Sequence, residues 1–126
     1  MRFSDILDIF EREFKPLLGK FCHYNLSVQE AIDTQDDYIW HPGVYVWFHP
    51  KDGVLRVGRS LSNSRKRSLE HVGHNTGGLI KEYAQDSETR IFLFNVKDIS
   101  DYHWVASLEI YFENELNPVL KAGRQG

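Results

Sequence analysis

Cysteine is almost missing from this 126-residue chain, where Cys22 stands alone. A single thiol excludes an internal disulfide and a Cys-rich zinc site, and it suits a reducing, cytoplasmic compartment. Long apolar runs are missing too. None approaches the ~20 residues that span a bilayer, and Met1-Arg2-Phe3-Ser4-Asp5 brings in an acid where a secretory leader needs an apolar stretch, so no membrane partner is expected. Excess positive charge is the third absence. Fifteen Lys and Arg face 18 Asp and Glu, for a formal charge of -3, whereas phosphate backbones are bound by Lys and Arg. What is present is globular: 41% hydrophobic and 13% aromatic residues are too many for a disordered chain, and one domain of this length buries roughly two thirds of its unfolded surface.

The first 18 residues place Ile6, Ile9, Phe10, Phe14, Leu17 and Leu18 at helical spacing, with Ser4 positioned as an N-cap. Ser27-Val28-Gln29-Glu30 has the spacing of a capping box and predicts a second short helix, fading in the polar stretch Asp33–Asp37. Residues 1–39 are therefore expected to be a helical extension packed on a domain spanning 40–126. There the period changes. Gly43-Val44-Tyr45-Val46-Trp47-Phe48 is β-branched and aromatic, Asp52-Gly53 predicts a hairpin turn, and Val54–Gly58 reads as the return strand. A helix is expected from a cap at Ser60, Ser62 or Asn63 to about Val72, followed by a break and a short helix over Leu79–Ala84. Arg90–Val96 reads as a third strand covered on both sides, and a last helix, from about Tyr102 to Glu115, stops before Pro118. The expectation is an α+β fold with a small three-stranded antiparallel sheet flanked by helices.

The small net charge is unevenly spread. Residues 1–53 carry 5 basic and 9 acidic groups and residues 82–126 carry 4 and 8, each segment netting -4, while residues 54–81 carry 6 and 1, netting +5. The basic block coincides with the second strand and the helix after it, so a low net charge is compatible with a focused cationic cleft.

Within this frame the polar residues form an ordered set. Gly43-Val44-Tyr45 is followed after ten residues by Arg56-Val57-Gly58, then by Arg67 and His71 four apart, and later by Glu109, nine residues before Pro118. Together these resemble a GIY-YIG nuclease domain over roughly residues 40–120. The resemblance implies a divalent-metal-dependent endonuclease acting on DNA, with Mg2+ (or Mn2+) held by Glu109. It implies Tyr45 as general base, Arg67 as transition-state stabiliser, His71 as an assisting group, and products with a 5′-phosphate and a 3′-hydroxyl. Two positions depart from the family pattern. Arg56 replaces the tyrosine with which the second motif usually begins, and Lys121 stands where the family commonly has an asparagine.

The residue types suit this chemistry on their own terms. Phosphodiester hydrolysis needs a deprotonated water, charge stabilisation on the phosphoryl oxygens and a neutralised leaving alkoxide. A tyrosine, with an ordinary pKa of about 10, needs a neighbouring cation to act as a base near neutrality, which Arg56 or His71 would supply. Arg67 and His71 share one helix face, and the planar fork of arginine donates twice to phosphate oxygens. Arg65 competes for that role; Arg67 is preferred for its spacing to His71. Glu109 lies among apolar residues and needs a partner, either a magnesium ion, which takes only one or two protein carboxylates, or an ion pair with Arg67 or Arg65. Arg59, Arg65, Lys66 and His74 would hold the nucleic-acid backbone together with Arg56. His23, His41, His49 and His103 show no metal-ligand spacing with one another or with Cys22. Trp40 either stacks on a base or plugs the underside of the sheet, and the plug is favoured because large aromatics mostly serve packing. The alternative to an enzyme is a nucleic-acid or protein binding module of the same fold without turnover. Because one centre of this size makes one nick, the N-terminal helices are the candidate homodimer surface.

Overall fold

The run from Gly43 to His49 leaves no polar face for a strand to turn toward water. Such a strand needs cover on both sides, and the fold supplies it. The computed structural model describes residues 1–70, 72 and 79–121. In chain order it contains α1 (Phe3–Phe14), a 3-10 segment (Lys15–Lys20), β1 (Phe21–Ser27), α2 (Val28–Asp33), β2 (Gly43–His49), β3 (Gly53–Ser60), α3 (Ser64–Glu70), α4 (Leu79–Ala84), β4 (Arg90–Val96), a 3-10 turn (Ile99–Asp101) and α5 (His103–Leu116). The strands form one antiparallel sheet in the order β1-β4-β2-β3. None of the described helices is long and apolar enough to cross a membrane.

Strand alternation sends side chains to two cores. Val44, Val46, Phe48, Phe92, Phe94 and Val57 face α1 and α5, which contribute Ile6, Phe10, Phe14, Val105, Leu108, Phe112 and Leu116. Tyr45, Trp47, Leu55, Ile91 and Leu93 face the opposite layer, which holds Ala31, Ile39 and Ile80. The result is an α+β fold of three layers. The three expected strands are all present and so is the hairpin, where Gly53 takes a φ of 80°.

The sheet differs from the expectation in having four strands. The fourth, β1, comes from the segment expected to be helical, and it pairs residue for residue with β4, from Phe21 opposite Val96 to Ser27 opposite Arg90. As an edge strand it buries Phe21 and Leu26 while the residues between are half-buried or exposed, so it needs little of the alternating apolar pattern that marks an inner strand. The first helix also starts differently. Ser4 lies inside α1, and the orphan N–H at the helix start, that of Arg2, donates to the Asp5 carboxylate at 2.6 Å. The capping box at the start of α2 is as expected: Glu30 N–H donates to Ser27 Oγ at 3.0 Å and Ser27 N–H to Glu30 Oε1 at 2.8 Å.

Phe94 joins the layers, being fully buried with its ring 5.1 Å from that of Phe10 on α1 and 5.0 Å from that of Phe112 on α5. Phe94→Ala is expected to destabilise the protein by about 3–5 kcal/mol through lost burial plus a residual cavity, measured by urea unfolding with an unchanged slope.

Candidate functional site

β2 and β3 bring Tyr45 opposite Gly58. A Cβ on Gly58 would lie 2.2 Å from the Tyr45 hydroxyl oxygen and within 2.7 Å of its ring atoms, so the phenol ring rests on the bare backbone of β3. Gly43 is matched in the same way to β4, where a Cβ would meet Asn95 Oδ1 at 2.1 Å and the Phe94 carbonyl oxygen at 2.5 Å. Both glycines of the paired tripeptides are thus close-approach positions. Four charges among the described residues act on the phenol. Arg67 and Arg56 pull its pKa down, Glu109 and Glu70 push it up, and burial outweighs them all, leaving Tyr45, 2% exposed, with its pKa pushed up to about 12. The arginines do not make this tyrosine a ready base. At neutral pH it is a protonated phenol.

Arg67 is half exposed and paired with Glu70 at 3.1 Å. Arg56 sits on the β3 edge, where its Nη1 donates to the Lys121 carbonyl at 3.3 Å while its buried Nε has no acceptor among the described residues. The segment after α5 adds to that edge as a short parallel bridge: Val119 N–H donates to the Val54 carbonyl at 3.0 Å, and Leu120 N–H donates to that of Leu55 at 2.7 Å. At Lys121 it is the backbone that meets Arg56, and the ammonium donates instead to Asn117 Oδ1. Asn117 itself closes α5 in a left-handed conformation with φ 47°.

Glu109 reaches this neighbourhood from α5, which packs along β3. It is 6% exposed, and its ion-pair partner is Arg59, with Nη1 at 3.6 Å from Oε1. Arg59 therefore holds the place that the sequence offered to Arg65 or Arg67. A separation of 3.6 Å is longer than a close charge-assisted hydrogen bond of about 2.7–2.9 Å. One buried carboxylate as a hard oxygen donor fits an ion such as magnesium, which keeps most of its waters.

Arg65, Lys66 and Trp40 fall outside the cluster. Arg65 turns to the far flank of α3, where its Nη1 donates to the carbonyls of Ala31 at 3.4 Å and Ile32 at 3.1 Å and its guanidinium lies 5.9 Å from the centroid of the Trp40 ring. It closes the end of α2. Lys66 points outward and is exposed, while its N–H donates to Asn63 Oδ1 at 3.0 Å, which identifies Asn63 as the cap of α3. His71 and His74 lie outside the described residues. Trp40 is no plug: Ile39 is fully buried in its stead, and Trp40 is 46% exposed.

A second polar group was not legible from spacing. The ligand atoms of His49, Asp86 and Glu88 lie within 4.8 Å of one another, at the end of β2 away from Gly43. His49 Nδ1 accepts the Lys51 N–H at 3.1 Å, so its proton sits on Nε2 and is donated to Asp86 Oδ2 at 2.8 Å. The Glu88 N–H and then His49 hold the Asp86 carboxyl below its ordinary range. These three residues could hold a metal ion, but the Nε2 lone pair would have to be freed first. In the arrangement seen they clamp the hairpin turn to the turn before β4, helped by Tyr83, whose hydroxyl donates to Asp52 at 2.6 Å.

No protein-family model matches the chain, and no curated protein or solved structure matches it either.

Two outcomes are expected. Gly58→Ala displaces the Tyr45 ring and costs about 1–3 kcal/mol by overpacking, read by chemical denaturation. In an alkaline titration followed by tyrosinate absorbance, Tyr45, identified by difference from Tyr45→Phe, ionises near pH 12 and not near 10. The sign for stability follows: a raised folded-state pKa contributes stability that is fully present below about pH 10 and is lost as pH rises through about 12.

Proposed function

We propose that the protein is a divalent-metal-dependent endonuclease hydrolysing phosphodiester bonds in DNA, built on a GIY-YIG-like unit to which β1 adds a further strand. The observation that carries this reading is the convergence of Tyr45, Arg67, Arg56 and Glu109 on one edge of the sheet from two strands and two helices, in the chain order of the family's motif. Arg56, held in place by the Lys121 carbonyl, fixes a positive charge at this edge, and Arg67, half exposed, offers a bidentate fork. Tyr45 supplies a hydroxyl fixed by its seat on Gly58, able to accept from an attacking water and to donate to a phosphate oxygen. An ion at Glu109 would neutralise phosphoryl and alkoxide charge. Glu109 is also one of the two carboxylates that hold the phenol up, so neutralising it moves Tyr45 toward the base role implied by the resemblance.

A binding module without turnover is the second reading, favoured by one specific observation. The Arg59 guanidinium already compensates Glu109, and the phenol is protonated across the neutral range. Nicking of supercoiled plasmid with magnesium or manganese separates the two. Wild type is expected to nick only with metal, and Glu109→Gln, Arg67→Ala and Tyr45→Phe are each expected to lower the rate by about 100-fold or more. Wild-type protein that cuts no duplex, branched or single-stranded DNA under either metal would falsify the endonuclease reading.

A further inference from the structure

Trp40 is the largest side chain that the fold leaves open without a packing reason. It sits at the third position of a tight turn closed by the His41 N–H donating to the Tyr38 carbonyl at 3.1 Å, and Tyr38 itself holds a left-handed φ of 64°. Such a conformation is uncommon outside glycine, asparagine and aspartate. The turn is pinned from several sides. Asn95 Nδ2 donates to the Tyr38 carbonyl at 2.9 Å, His41 Nδ1 donates to the Val96 carbonyl at 2.8 Å, and the Ser64 N–H donates to the His41 carbonyl at 3.2 Å. Asn95 and Ser64 are fully buried and bonded to each other. Ile39 anchors the turn in the core and the indole next to it is driven outward, with Arg65 over the ring.

We propose that Trp40 is a stacking platform for a base of a single-stranded or unpaired nucleic-acid segment. The proposal rests on the nucleic-acid reading of the neighbouring site. A rigid, half-open indole beside a fixed guanidinium accepts any base, because every base presents a π-face. Its position agrees with the charge. Residues 65 and 67 lie on opposite flanks of α3, two helical steps apart, with Arg67 toward Tyr45 and Arg65 toward Trp40. Lys66 stands exposed between them. A strand leaving the phosphate site across α3, a path of about one helix diameter or 10–12 Å, runs over three successive cations and ends on the indole. Asp36 and Asp37, both exposed just before the turn, repel phosphates on the far side, so a base and not a backbone is what Trp40 receives.

The test uses the full chain, without metal, at low salt, with a short oligothymidine as probe. Binding is expected to quench tryptophan emission. Trp47 is fully buried and Trp104 half-buried, so Trp40→Phe should remove most of the quench while a phenyl ring preserves binding. Trp40→Ala should weaken affinity by about 5- to 150-fold, the equivalent of roughly 1–3 kcal/mol for one stacked base, with an unchanged thermal midpoint. Unchanged affinity in Trp40→Ala, or no binding by wild type, overturns the proposal. So does a dimer that Trp40→Ala converts to monomer, because the indole is then a subunit contact. Trp40-dependent binding without metal-dependent nicking defeats the cleavage reading alone, whereas nicking with binding indifferent to Trp40 defeats the platform alone.

Discussion

Everything at the Tyr45 edge follows from the burial of β2 on both faces. All seven residues from Gly43 to His49 are buried, so the charged form of a tyrosine in that strand is disfavoured before any neighbour acts. Gly58 then decides where the ring goes. With no side chain on β3 at that position, the phenol lies across this edge strand.

The cations at this edge answer a local need rather than a global one. Two carboxylates, Glu109 and Glu70, sit close enough to a buried phenol to push its pKa up, and two arginines pull the other way. Glu70 is half exposed and paired with Arg67 at a surface where screening leaves little energy. Glu109 is different. An almost fully buried carboxylate is costly without compensation, and Arg59 at 3.6 Å supplies it loosely. Arg59 is also more than a third exposed, so solvent screens its charge on the open side.

The legible parts of the fold were those where one local rule sufficed. The Asp52-Gly53 hairpin, the Ser27 capping box and the doubly covered Arg90–Val96 strand each carry their signal within a few residues. β1 escaped notice because an edge strand with one buried residue near each end has almost no period. Ser4 was misplaced for the converse reason: the acid at position 5 performs the capping that a hydroxyl at 4 was expected to perform. In the site, the motif order pointed to Tyr45, Arg56, Arg67 and Glu109 as neighbours. It was silent on the choice of partner for Glu109, since the residue opposite Val44 on β3 is set by strand register and not by helical spacing. His49, Asp86 and Glu88 were invisible because a hairpin turn and a distant loop meet only once the sheet has formed.

The same distinction explains why Arg65 and Arg67, two residues apart, end in different roles. A helix of seven residues buries Ser64 and Ser68 against the sheet, so the side chains between them have only two flanks and the solvent to choose from. One flank meets the open carbonyls at the end of α2, an acceptor site that draws a guanidinium whatever the ligand. The other meets a phenol and a carboxylate, where a second cation is stabilising only while anions are near. Arg65 is therefore held by the fold itself and Arg67 by its electrostatic surroundings.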